Sequence, residues 1–134
     1  MIPWRIRNWY NDYLSFYAIK NGVKNLIKWF PIIWQDRDYD YGYLYTILEF
    51  KLNNMQKFFE SDYTYSKDAK HYAKQIKECK ELLIRIHNEA IWDEHWNDDT
   101  ATYTKSIDEL SKLDREEKEL FWGKMCDNID NWWD

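Results

Sequence analysis

The 134-residue chain is 45% hydrophobic and 32% charged, with three glycines, two prolines and a net charge of −5. That balance excludes a disordered chain and a turn-rich β architecture, and it fits one domain with a core of its own. No apolar run approaches the about eighteen residues of a membrane span, and the start MIPWRIRNWYNDY lacks the apolar centre of a signal peptide, so a protein that is neither exported nor transmembrane is expected.

Residues 4 to 20 place Ile6, Trp9, Tyr10, Tyr13, Leu14 and Tyr17 at helical spacing. Asn21-Gly22 then offers a stop or a bend, residues 23 to 30 resume the pattern, and Pro31 should end or kink the helix before a short connection, Pro31 to Gln35. The run GVKNLIKWFPIIW, residues 22 to 34, is amphipathic; core packing or an oligomer contact is the preferred reading, ahead of a membrane surface. Asp38 or Asp40 suits the N-cap of the next helix, residues 41 to 60, because a carboxylate there accepts orphan backbone N–H groups. That helix carries apolar residues on two sides, which predicts a central position.

A loop near Ser61 to Ser66 leads into a helix over residues 67 to 92, whose Tyr72, Ile76, Cys79, Leu83, Ile86 and Ala90 form a packing seam. Lys67, Lys70, Lys74 and Lys77 run along the opposite face, for which a solvated role is the preferred reading, ahead of a phosphate-facing one. Asn97 to Thr100 reads as a turn, and Ser106 or Asp108 as the cap of a last helix bearing Leu110, Leu113, Leu120, Phe121, Met125, Cys126, Ile129 and Trp132, with Gly123 as its weak point. Cys79 and Cys126 both fall within helical apolar patterns and are expected to be reduced core residues. The closing NWWD puts two tryptophans where chain ends are usually polar, which predicts a docked end. The elements together predict an all-α protein, a compact bundle of four to five helices in a single domain, residues 1 to 134.

The chemistry is sparse. There is no phosphate-binding glycine loop, no G-x-S-x-G and no H-E-x-x-H, so a non-enzymatic protein without a cofactor is expected. His87, His95 and Glu94 are the best scattered metal ligands, and Asp36, Asp38 and Asp40 the best acidic cluster for Mg²⁺ or a metal-dependent enzyme; the preferred assignment for all of them is structural, with no metal. Nine Trp and eleven Tyr exceed what a core of this size takes up. Those next to basic residues form the candidate ligand-binding set: Trp34, Asp36, Arg37, Asp38, Tyr39, Tyr41 and Tyr43, with Lys24 and Lys28. Rings that stack on bases and cations that meet phosphates suit a small nucleotide. Residues 1 to 34 hold five basic residues against one acid, a balance of +4, which leaves −9 for the other hundred and weighs against duplex nucleic acid as a partner.

The pattern W-F-P-x-I-W-x-D-R-D-x-D-x-x-Y-L from Trp29 to Leu44, followed by Lys51, Leu52 and Met55 and by the terminal W-W-D, resembles a recurring group of small tailed-bacteriophage proteins. It covers about a fifth of the chain and its last three residues. The resemblance implies a viral protein acting in the host cytoplasm as an anti-defence factor. It would work by binding a host defence protein or by sequestering a nucleotide-type immune signal, as a homo-oligomer. It brings no catalytic residues with it.

Overall fold

The computed structural model describes residues 13 to 132. The chain is all-α, as expected. Five α-helices are present among the described residues: α1 (Phe16–Ile33), α2 (Gly42–Phe59), α3 (Ala69–His87), α4 (Ala90–Glu94) and α5 (Ile107–Asn128). A two-residue hairpin, β1 (Trp96–Asn97) and β2 (Thr102–Tyr103), and a 3-10 turn, Ile129–Asn131, complete them. Two contact units divide the chain, Met1–Asp40 and Tyr41–Asp134.

In the first unit, α1 starts at Ser15, whose hydroxyl accepts the Ala18 N–H at 3.2 Å. The expected break at Asn21-Gly22 does not occur. A glycine inside a helix costs about 1 kcal/mol relative to alanine, which weakens a helix without ending it. Pro31 does not end the helix either: it lies in the last turn, where its missing N–H forfeits one bond, and the helix closes with Trp34 N–H on Phe30 O at 3.0 Å. The predicted Pro31 to Gln35 connection is therefore half helix. Residues 4 to 12 lie outside the described part.

In the second unit, α3 is the central helix and α2 is not, because α3 packs against α2 on one side and α5 on the other. Its inward row, Ala69, Ala73, Ile76, Cys79, Leu83 and Ile86, is buried and includes three small residues, which let neighbouring helices approach closely. From α2 only Leu52 and Phe59 are fully buried, with Tyr45, Leu48 and Met55 packed against the core. The second apolar stripe of α2, Tyr43, Ile47 and Phe50, is half-buried. The expected acidic cap of α2 is absent: Tyr41 holds the N-cap position with helical backbone and no side-chain bond.

The helix predicted over 67 to 92 is two. Asn88 and Glu89 interrupt it, and Glu89 adopts left-handed φ 53°, ψ 35°. That conformation is the usual stop after a helix, though glycine normally supplies it. Between α4 and α5, Asn97 Oδ1 accepts N–H bonds from Asp99 at 3.0 Å and Thr100 at 3.2 Å, which makes the turn predicted there, and a short antiparallel pairing of Trp96 with Tyr103 flanks it. Ser106 caps α5 in a capping box with Glu109.

The inward row of α5 is more polar than its apolar residues suggested. Leu110, Phe121 and Met125 are buried, but Leu120, Cys126 and Ile129 are exposed. The half-buried positions at helical spacing among the buried residues include Leu113 and Asp114 and, with bonds to α3, Glu117 and Asn128. Glu117 accepts from Arg85 Nε at 2.7 Å, and Asn128 accepts from Gln75 Nε2. Cys126 is thus not a core residue, because its neighbour Met125 takes the inward position. Trp132 is 6% exposed and donates Nε1–H to Gln75 Oε1 at 3.1 Å. The closing segment is docked as predicted as far as Trp132; the last two residues lie outside the described part.

Candidate functional site

Of the nine residues proposed from sequence, seven belong to the first unit: Lys24, Lys28, Trp34, Asp36, Arg37, Asp38 and Tyr39. Tyr41 and Tyr43 belong to the second, where Tyr41 is exposed at the start of α2 and Tyr43 is half-buried in its first turn. Lys24 and Lys28 stand one turn apart on α1, both exposed. Trp34 closes the helix, its ring centroid 4.9 Å from that of Phe30.

Backbone bonds shape the segment after α1. Asp36 N–H meets Ile33 O at 3.3 Å, and Asp40 N–H meets Arg37 O at 2.9 Å, so Asp38 and Tyr39 occupy the two central positions of a tight turn. Arg37 Nη1 donates to Asp36 O at 2.7 Å, which folds the guanidinium back along its own loop. Trp34 is 68% and Tyr39 86% exposed. An arrangement of this kind presents two aromatic rings and a cation outward.

Among the described residues the acids and histidines form no arrangement for a metal. His87 Nδ1 lies 3.7 Å from Glu49 Oε2, His95 Nδ1 lies 2.9 Å from Ile91 O, and Glu94 is clasped by Arg85, so the three possible ligands face different partners. Among the described residues no group of three or more His, Cys, Asp or Glu is placed to hold a metal ion, Asp36, Asp38 and Asp40 included.

The face of α1 carries the run that sequence reading assigned to core packing or an oligomer contact. No residue of this helix is buried. Leu26 is 66% and Ile27 71% exposed, so the amphipathic run does not fill a core.

Sequence reading also missed the main polar cluster of the second unit. Arg85 binds Glu94 through Nη1 at 2.6 Å and Nη2 at 3.2 Å, and Glu117 through Nε, joining α3, α4 and α5. The hydrogen bonds to Glu94 and then to Glu117 raise the Arg85 pKa, and the bond from Arg85 lowers that of Glu94. The partners lie 9 and 32 positions away in sequence, too far for helical spacing to reveal them. The cluster braces helices and leaves little donor capacity for a ligand.

The lysine row of α3 is exposed as expected. Lys70, Lys74 and Lys77, with Glu60 and Ala73, line a surface groove of about 330 Å³. Lys67 and Lys70 border a neighbouring groove of about 530 Å³ between the end of α2 and the start of α3. No helix among the described residues is long and apolar enough to cross a membrane. In comparisons with protein-family models, curated proteins and solved structures, none matches the chain.

Proposed function

We propose that the chain is a non-enzymatic phage accessory protein that counters a host defence by binding a host protein through the turn carrying Trp34, Arg37 and Tyr39. The observation that supports this most is the exposure of Trp34 and Tyr39, more than two-thirds each, on either side of Arg37. Trp, Tyr and Arg are the residues that dominate protein–protein binding energy. A site that sequesters a small ligand would instead enclose most of it, roughly 70–90% of the ligand surface. The resemblance of residues 29 to 55 to phage proteins supplies the biological setting. Capture on the immobilised full chain tests the reading. One stoichiometric host protein should bind the wild type and be lost with Trp34→Ala or Tyr39→Ala. Retention by both variants would refute the assignment of the turn.

A second reading keeps the nucleotide-type ligand and moves it to the groove beside Lys70, Lys74 and Lys77, where three lysines and Glu60 line one depression of ligand size. Titration calorimetry against mono-, di- and cyclic nucleotides decides it. Micromolar binding lost in Lys70→Ala/Lys74→Ala supports this reading, and no heat with any of them removes it.

A further inference from the structure

We infer that the apolar face of α1 is a self-association surface, on which a second copy of this chain docks through its own α1 in antiparallel orientation. Successive helix positions turn by about 100°, so Ile19, Val23, Leu26, Ile27, Phe30 and Ile33 fall within an arc of about 120°. Each is 49–71% exposed, and Phe16, at the head of the same arc, is 84% exposed. Scaled by side-chain size, these residues leave on the order of 900 Å² of apolar surface open. The largest apolar patch of a typical monomer is about 300–600 Å², whereas a stable dimer buries about 800 Å² from each partner. The area therefore suits a partner helix of the same kind.

Charge selects the occupant and its direction. Lys20 borders the face, Lys24 and Lys28 turn progressively away from it, and residues 13 to 35 contain no acid. Asp36 and Asp38 follow directly after the helix and are exposed. Antiparallel docking brings these carboxylates to the first turn of the partner's helix, where orphan N–H groups and Lys20 make the positive end. Parallel docking would set Lys20 beside an edge with no acid to meet it. An anionic bilayer fits less well, because residues 35 to 134 carry a balance of −9 and the acidic turn adjoins the helix.

Sedimentation velocity on the full chain under reducing conditions, from about 1 to 100 µM, tests the inference. Wild type should sediment with twice the mass of the 16.7 kDa chain. Leu26→Glu should weaken dimerisation about 100-fold or more, because a carboxylate is forced into the apolar contact. Lys20→Glu should weaken it about 10-fold at low salt, and Lys20→Glu/Asp36→Lys should restore it. The charge pair keeps the test valid should Leu26→Glu disturb α1, which far-ultraviolet circular dichroism reads. A wild type that stays monomeric at 100 µM overturns the inference, as does a Leu26→Glu dimer of unchanged affinity. Failure of the double charge reversal to restore association overturns the antiparallel arrangement. A monomer that co-sediments with phosphatidylserine vesicles would assign the face to a bilayer. Loss of host-protein capture in a variant that still dimerises concerns the turn alone, so the two proposals fail separately.

Discussion

Replacing Trp132 with alanine should cost the second unit a large share of its stability. The indole is 6% exposed and belongs to the same cluster as Phe121, Met125 and Ile76. An aromatic side chain of about 200 Å², at about 25 cal/mol per Å², corresponds to roughly 5 kcal/mol as an upper bound, and truncation of buried aromatics costs about 3–5 kcal/mol in practice. The Nε1–H bond to Gln75 adds about 1 kcal/mol, and Gln75 also holds Asn128 at the end of α5, so its loss loosens two attachments of the closing segment. A loss of about 3–4 kcal/mol should lower Tm by about 15–25 °C in a unit of this size. Urea unfolding followed by circular dichroism at 222 nm gives the value directly, and Trp132→Phe should lose about 1–2 kcal/mol, since it keeps most of the apolar area and drops the donor. A Trp132→Ala loss below about 1 kcal/mol with an unchanged denaturant slope would refute the docking of this residue.

Arg85→Met should destabilise the second unit by about 1–3 kcal/mol, because the Glu117 side chain, only 10% exposed, loses its partner; Arg85→Met/Glu117→Leu should recover most of this in urea unfolding. Thiol titration of the native protein should find one fast cysteine, the exposed Cys126. Cys79, 1% exposed and with its thiol pKa raised by burial, should react only in denaturant. The Glu78–Lys124 pair, 3.0 Å apart, sets a pH dependence of known sign. The hydrogen bond from Lys124 holds the Glu78 carboxyl below its ordinary 4.5, so its contribution is complete above that value and fades as pH falls through the lower folded pKa. The Lys124 ammonium is raised above its ordinary 10.5, so the same pair is complete below that value and fades as pH rises through the folded pKa. Lys124→Met should flatten both ends of a Tm-against-pH curve.

Periodicity identified the helices because burial of one face dominates their stability; the row Ile76, Cys79, Leu83 and Ile86 is legible in sequence and fully inward in the structure. Helix ends were less legible where the stop signal was atypical. Glu89 takes a left-handed conformation that glycine usually marks, and Gly22 and Pro31 sit inside a helix that they do not end. The inward face of α5 was misread because its polar members, Glu117 and Asn128, are made acceptable by Arg85 and Gln75, partners that only the fold brings near. The aromatic surplus around Trp34 and Tyr39 was legible as composition. The exposure of Leu26 and Ile27 on α1 was not, because an amphipathic helix has the same pattern whether a core, a second copy or a partner covers it.

Site-specific photo-cross-linking tests the working surface most directly. Benzoylphenylalanine placed at Tyr39 of the full chain should cross-link one protein in host lysate, whereas the same group at Tyr63, 83% exposed in the second unit, should not. Equal cross-linking at both positions, or none at Tyr39, would contradict recognition through the turn.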